Sequence, residues 1–234
     1  MLPGELRRSE IIRSYPGASP LGRTAAPYTY RGDSGVIIGV AGRCPGRRPM
    51  VCAMTTYAAL LRGINVGGKK KLPMAELRRL MEGLGYAGVR THLQSGQAVF
   101  SSGHGDEESL AAELGQAIEE HFGFPVDVIV RDHAYLAAVV EACPFPAAEL
   151  EAKQLHVTYL SAPVDPARFA EIDREAYLPE EFRLGERELY LYVPQGLGRS
   201  KLAETLSRPR LNKDLIATTR NWNTAVKLVE LTAE

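Results

Sequence analysis

The chain contains a glycine- and lysine-rich loop, Arg62 to Lys71, between an apolar run and an amphipathic segment. Glycines let backbone N–H groups approach a ligand, and the start of a helix carries partial positive charge. The loop lacks the glycine spacing of a Walker motif and of a dinucleotide fingerprint. It therefore indicates a less specialised anion site, and a solvated surface loop is the alternative. The candidate ligand-binding residues are Arg62, Asn65, Gly67, Gly68 and Lys69.

A second polar cluster, Gln94 to Gln97, separates two short apolar runs and is typical of a hairpin turn. Its amide and hydroxyl groups could recognise a ligand, or they could satisfy the backbone of the turn. We take Gln94 and Ser95 as candidate ligand-binding residues. The loop from Gly196 to Lys201 is a weaker candidate for an anion contact.

A third polar cluster, Thr218 to Thr224, precedes the last helical pattern. Thr219 or Asn221 is a suitable N-cap, because a short polar side chain can bond the free N–H groups of the first turn. Trp222 is expected to be a core residue. The candidate ligand-binding residues are Arg220, Asn221 and Asn223. We expect the three clusters to converge around one cleft between two halves of the chain.

The elements that position these clusters follow from the hydrophobic periodicity of residues 54–146. The pattern predicts a strand at 57–62, a helix near Pro73, strands on either side of the 94–97 turn, a helix after Asp106 and a strand at 125–130. A further helix follows Asp132. The β-α-β-β-α-β order is the ferredoxin-like arrangement.

Residues 147–234 repeat this order in part. The pattern predicts a strand at 155–160, a helix capped by Asp165, a hairpin of two strands at 182–193, a helix after residue 200 and a last helix at 222–231. We therefore predict an α+β fold of two tandem ferredoxin-like subdomains, residues 54–146 and 147–234, behind a disordered N-terminal extension.

Residues 1–53 differ from the rest of the chain in composition. They contain eight Arg, no Lys and three acidic residues, a net charge of +5, together with eight Gly and six Pro. Such a composition favours unpacked chain. We expect a disordered arm, or an upstream extension that precedes a natural start at Met54. The run 35–40 is its one strand-like segment.

Other chemistries find little support in the sequence. The five histidines form no His-x-x-x-His pair and no cysteine joins them, which argues against a metal site. No nucleophile and base can be paired, so catalytic residues are unassigned and no cofactor is expected. No apolar run is long enough to span a membrane. Three scattered cysteines favour a reducing, cytoplasmic location.

The stretches Arg62 to Gly68, Gln94 to Gly96 and Thr219 to Thr224 resemble three signature stretches of the bacterial domain-of-unknown-function 1697 family. The resemblance covers about residues 54–232. It implies a duplicated, ferredoxin-like α+β architecture in a cytoplasmic protein, and it implies no established reaction, substrate or cofactor. The chain departs from the family at Gln97, where members usually carry Asn.

These observations leave three functions open. We favour a binding module, catalytic or not, for a small phosphorylated or other anionic ligand in a cleft between the halves. Nucleic-acid binding on a ferredoxin-like sheet is the alternative, but residues 54–234 carry a net charge of −5 and lack the aromatic RNA-binding signature. The third possibility is a structural or interaction protein without a ligand. The sequence does not indicate an oligomeric state.

Overall fold

The computed structural model describes residues 30–32, 35–37, 54–66, 70–92, 96–103 and 105–233. The chain divides into two units, residues 1–50 and residues 51–234. In the first unit, strands β1 (Tyr30–Gly32) and β2 (Gly35–Ile37) pair in antiparallel register. Strand β2 lies in the run 35–40 that the sequence singled out. Most residues of the predicted disordered extension lie outside the described part of the chain.

The second unit begins with the elements of residues 54–146, which we call the first half. Its strands are β3 (Thr55–Leu61), β4 (Ala87–His92), β5 (Gln97–Ser102) and β6 (Val128–Asp132). Its helices are α1 (Met74–Gly83), α2 (Glu107–Phe122) and α3 (His133–Glu141). The side chains of Asp106 and Asp132 cap α2 and α3 by accepting backbone N–H bonds, which confirms both predicted helix starts.

The elements of residues 147–234 form the second half. Its strands are β7 (Leu155–Leu160), β8 (Glu181–Leu184), β9 (Glu188–Tyr192) and β10 (Ala217–Asn221). Its α-helices are α4 (Lys201–Leu206) and α5 (Trp222–Thr232). Short 3-10 helices cover Ala147–Glu149, Pro166–Phe169, Glu175–Tyr177 and Leu197–Arg199.

Two predictions for the second half need correction. Asp165 caps the chain as predicted, but the element that follows is a four-residue 3-10 helix rather than an α-helix. Strand β10 was missed, because its residues are mostly polar and resemble a helix start. It forms by pairing with β7, where Thr219 lies opposite Thr158.

The two halves have sheets of the same strand order. The first sheet runs β4-β5-β3-β6 and the second runs β10-β7-β9-β8, and all neighbours are antiparallel. In each half the fourth strand therefore pairs with the first, and the third lies between the first and the second. The α+β class is confirmed: the second unit contains two antiparallel four-stranded sheets and five α-helices among its described residues.

Three clusters of buried side chains follow from the alternation along these strands. The outer face of the first sheet packs under α1 and α2, and the outer face of the second sheet carries a smaller cluster. The inner faces of both sheets join α3 and α5 in a central core. Trp222 is partly buried at this core, whereas Ala225 and Leu228 are its fully buried residues from α5. No helix in the described ranges is long and apolar enough to cross a membrane.

Candidate functional site

The three polar clusters meet at Leu61, the last residue of β3. Its backbone N–H donates to the carbonyl of Gly96 at 2.9 Å, and its carbonyl accepts a hydrogen bond from the Arg220 guanidinium at 2.7 Å. Gly96 has a φ of 87°, and a Cβ there would lie 2.7 Å from a side-chain carbon of Ile64. The hairpin, the loop that starts at Arg62 and the start of α5 are therefore neighbours.

Arg220 lies on the inner face of β10 and holds this junction together. Its guanidinium donates to the hydroxyl of Thr218 and to the carbonyls of Thr219 and Leu61. Burial lowers the pKa of Arg220 to about 10, and the nearby Tyr159 acts in the opposite direction. The contacts of Arg220 thus tie the end of β3 in the first half to β10 in the second half.

Arg62 is placed differently from Arg220. Its guanidinium lies 3.3 Å from a carboxylate oxygen of Asp127, and both side chains are about half exposed, at 52% and 53%. Its backbone N–H also donates to the carbonyl of Asp127. Arg62 lines the largest cavity described below, whereas Arg220 is not among the residues that line it.

The predicted asparagines serve mainly as backbone partners. The amide of Asn65, a residue with a φ of 55°, donates to the carbonyl of Leu72 and accepts from its N–H. Asn221 accepts a hydrogen bond from the N–H of Thr224, which confirms it as the N-cap of α5. Asn223 is exposed in the first turn of that helix. The remaining candidates lie outside the described residues: Gly67, Gly68, Lys69, Gln94 and Ser95.

A cavity of about 830 Å³ opens on the outer face of the second sheet. Its walls carry four basic side chains and one acidic side chain, namely Arg62, Arg199, Lys201, Lys213 and Glu204. Alternate residues of β7, β9 and β10 form its floor. The apolar part of the lining consists largely of Leu160, Phe169, Leu189, Leu191, Leu206 and Leu215. The excess of positive side chains gives this cavity the charge that an anion requires.

Two hydroxyl groups lie on the cavity floor. Thr158 of β7 and Thr219 of β10 are opposite each other, and their side-chain oxygens are 2.8 Å apart. In the first half, Ala59 and Val130 are opposite each other at the corresponding positions, two residues before the end of the first strand. Both are fully buried under the helices. The pair at these positions is therefore aliphatic and fully buried in the first half, whereas it is polar and partly exposed in the second half.

The cavity exists because little helix covers this face of the sheet. Helix α4 has six residues, whereas α2, which follows the third strand of the first half, has sixteen. The N-terminus of α4 already binds a carboxylate of the protein. Glu180 accepts hydrogen bonds at 2.9 Å from the Ser200 hydroxyl and from the N–H of Leu202. Any ligand anion must therefore be held by the basic side chains rather than by this helix start.

Sequence reasoning found only part of this cavity. The sequence predicts Arg62 as a ligand-binding residue, and Arg199 and Lys201 belong to the loop from Gly196 to Lys201, which it indicates more weakly. Lys213 and Thr158 gave no signal, because each is an ordinary residue in its own segment. Only the strand register, which places Thr158 where the first half has Ala59, distinguishes it.

The described part of the chain offers few other reactive groups. No three His, Cys, Asp or Glu side chains within it are grouped so that they could hold a metal ion. The thiol of Cys143 lies 3.7 Å from the carbonyl of Phe145, and burial raises its pKa, so it is a poor nucleophile. Burial also lowers the pKa of His156, which lies on the outer face of β7.

Two comparisons with known proteins found similar proteins, one through a family model and one through a solved structure. A model of the family described as protein of unknown function (DUF1697) matches residues 54–190, which is more than half of the chain. A conserved bacterial protein from Streptococcus pneumoniae has a similar solved structure, with 23% sequence identity and a TM-score of 0.59, over 77% of this chain and 99% of that chain. At this identity the likeness concerns the fold alone. None of the curated proteins compared matches the chain.

Proposed function

We propose that this chain, which belongs to the DUF1697 family of proteins of unknown function, binds a small anionic ligand in the cavity on the second sheet. One observation carries the proposal. Four basic side chains and one acidic side chain line this cavity, although residues 54–234 as a whole contain more acidic than basic residues. Such a local reversal of charge favours the capture of anions.

The basic side chains approach the cavity from several segments. Arg199 and Lys201 flank the start of α4, Lys213 precedes β10, and Arg62 comes from the first half. Hydrogen bonds between these groups and a phosphate or carboxylate are about twice as strong as bonds between neutral groups. The hydroxyls of Thr158 and Thr219 add neutral partners on the floor. We propose that the loop and the hairpin next to Arg62 extend the site through Gly67, Gly68, Lys69, Gln94 and Ser95.

The ion pair between Arg62 and Asp127 leaves Arg62 able to bind a ligand. An exposed pair of this kind contributes about 0–1 kcal/mol, because water and salt screen it. A ligand with two negative charges can therefore draw the guanidinium away from Asp127 at small cost. We infer that Arg62 contacts the ligand directly, and that Arg220 acts as a positioning residue, which fixes the chain at Leu61.

Calorimetric titration with inorganic phosphate and pyrophosphate tests this function. Arg62→Gln and Arg199→Gln should each weaken binding about tenfold, since a hydrogen bond to a charged group contributes about 1.5–3 kcal/mol and these groups lie at the lower, exposed end. Arg210→Gln is the matched control. Arg210 is also exposed and also pairs with a carboxylate, that of Glu171 at 3.1 Å, but it does not line the cavity.

The Arg210→Gln control distinguishes binding at a defined site from non-specific binding to positive charge on the protein surface. Equal losses in Arg210→Gln and Arg62→Gln would show that phosphate binds the surface without a defined site. Failure of both anions to bind the unsubstituted protein would contradict the proposal and favour a structural role. Tight binding of single-stranded nucleic acid, lost with the same substitutions, would instead support the nucleic-acid alternative.

We also infer that residues 54–146 and 147–234 are tandem ferredoxin-like subdomains that arose by duplication. The shared strand order supports this inference. So does a pair of arginines: Arg131 of β6 donates to the carbonyl of Leu160 at the end of β7, just as Arg220 of β10 donates to Leu61 at the end of β3. The residue after each arginine is the N-cap of the following helix.

A further inference from the structure

We infer that the ligand of this cavity is an amphipathic anion, in which a phosphate or carboxylate head is attached to an apolar or aromatic body. This inference rests on the proposed function, because it assigns the class of molecule that the same cavity takes. Its evidence is the size of the cavity and the combination of charged and apolar groups in its lining.

The cavity is much larger than a phosphate group. A phosphate has five heavy atoms and fills on the order of 100 Å³, since each water of the liquid takes about 30 Å³. The cavity volume of about 830 Å³ lies instead in the range of about 300–1,000 Å³ that is typical of sites for larger organic ligands. The remaining volume must therefore be filled by the body of the ligand or by water.

The residues that line the cavity indicate whether the body of a ligand or water fills the remaining volume. Leu197 on the wall is 38% exposed, and Ala203, Leu215 and Ala217 are partly exposed, so apolar surface of the lining reaches the solvent in the cavity. Water next to such a surface gains few hydrogen bonds, whereas an apolar group gains by leaving the solvent. The body that fits this floor is therefore aliphatic or aromatic.

The polar groups of the floor offer little to a nucleotide base. The amide of Asn212 already donates to the carbonyls of Leu206 and Arg208. The hydroxyls of Thr158 and Thr219 bond to each other, which leaves one O–H donor between them for the ligand head. A purine or pyrimidine would therefore lose more hydrogen bonds to water than this floor replaces, and such losses are costly. The structure therefore favours an apolar body over a nucleobase.

A series of dianions of equal charge tests the inference on the full chain. The ligands are inorganic phosphate, methyl phosphate, phenyl phosphate, 1-naphthyl phosphate and adenosine monophosphate, titrated at pH 8, where their second pKa values near 6–7 leave each close to two negative charges. Affinity should rise tenfold or more from methyl to phenyl phosphate and rise again for naphthyl phosphate, because each ring buries apolar surface. Adenosine monophosphate should bind more weakly than naphthyl phosphate.

Two leucine variants distinguish binding to the apolar wall of the cavity from non-specific hydrophobic binding elsewhere on the protein. Leu197 lines the cavity and is 38% exposed, so Leu197→Ser should not disturb folding. It should reduce the affinity for naphthyl phosphate at least threefold and leave methyl phosphate unchanged. Leu178→Ser is the control, because Leu178 is 62% exposed and lies outside this cavity. It should change neither affinity.

The outcomes that contradict the inference differ from those that contradict the proposed function. Equal affinity for methyl, phenyl and naphthyl phosphate would overturn the amphipathic ligand and leave anion binding intact. Tighter binding of adenosine monophosphate than of naphthyl phosphate would assign a nucleotide instead. Binding of uncharged 1-naphthol as tightly as naphthyl phosphate, or no binding by any phosphate, would overturn the anion site itself.

Discussion

In the first half, helices of ten and sixteen residues lie over the outer face of the sheet, whereas a six-residue helix and short 3-10 helices lie over the second sheet. The residues beneath change accordingly. Ala59 and Val130 are fully buried in the first half, and Thr158 and Thr219 take their positions beside a cavity in the second. The first half thus has a closed core on this face, and the second half has an open one with polar groups on its floor.

The two halves also differ in charge at corresponding places. A groove of about 550 Å³ beside β6 is lined by Glu107, Glu108, Glu119 and Asp127, with Arg131 as the basic residue. The cavity beside β10 instead has four basic side chains. Strand β6 lines the groove with consecutive residues, Val128 to Arg131, whereas β10 lines the cavity with the alternate residues Ala217 and Thr219. The segment after the first strand of the opposite half reaches each of them. The same scaffold therefore presents an acidic surface in one half and a basic one in the other.

This contrast separates residues that hold the fold from residues that are free to serve a ligand. Arg131 and Arg220 occupy matching positions, and each bonds the last carbonyl of the first strand in the other half, as residues that hold a fold together do. Arg62 has no basic counterpart, because Ser161 stands at the corresponding position, where its N–H bonds the carbonyl of Ile216 as that of Arg62 bonds Asp127. Differences between the halves, rather than their common features, indicate function.

The largest expected effect comes from breaking the link between the halves at Arg131. Its side chain is 3% exposed and pairs with Glu107 at 3.2 Å. Arg131→Met removes donors to two buried carbonyls, including that of Leu160, as well as the pair with Glu107. Glu107 keeps its pair with Arg187 at 2.8 Å, so the expected loss of about 3–5 kcal/mol comes mainly from the buried acceptors, at about 1–3 kcal/mol each. Urea denaturation should show this loss. Arg183→Met is the control, because Arg183 is 46% exposed in its pair with Glu181 and should cost under about 1 kcal/mol.

A substitution at Ala59 can make the aliphatic pair of the first half resemble the threonine pair at the corresponding positions of the second half. Ala59→Thr places a hydroxyl in a fully buried position, and we expect a loss of about 2–4 kcal/mol from overpacking and an unpaired polar group. Ala59→Val has nearly the same volume without the hydroxyl, so the difference between the two variants isolates the polar cost. The reverse change, Thr158→Ala, should cost under about 1 kcal/mol, because its floor position is partly exposed. If Ala59→Thr and Thr158→Ala lowered the free energy of unfolding equally, that result would contradict the contrast between the outer faces of the two sheets.

A smaller effect is expected at Arg220, the counterpart of Arg131. Arg220→Met removes donors to the Thr218 hydroxyl and to the carbonyls of Thr219 and Leu61. These acceptors are neutral, so we expect a loss of about 1–3 kcal/mol in urea denaturation. Phosphate affinity should fall less than in Arg62→Gln, because Arg220 positions the chain and does not line the cavity. A larger loss of affinity than in Arg62→Gln would make Arg220 a direct ligand contact.

The sequence was sufficient for the elements that local patterns specify. Asp106, Asp132 and Asn221 cap helices as their residue types predict, and the short apolar runs of β3 and β7 predict both first strands. Strand β10 was missed because a polar segment becomes a strand only through its neighbour β7. The cavity was located only in part for a similar reason. It depends on how short α4 is and on the approach of Lys213 and Arg62, which are far apart in sequence.

The smallest expected effect concerns His156, which stands where the first half has Tyr57. Burial lowers the pKa of His156 below its ordinary 6.5, so the folded chain holds it neutral while the unfolded chain takes up a proton. The contribution of neutral His156 to the free energy of unfolding is fully present above pH 6.5. It is lost as the pH falls below that value, by up to about 1.4 kcal/mol per pH unit. His156→Phe, an aromatic replacement as in the first half, should reduce the fall in unfolding free energy between pH 7.5 and pH 5.5. An unchanged pH dependence in His156→Phe would show that His156 takes up its proton as readily in the folded chain as in the unfolded one.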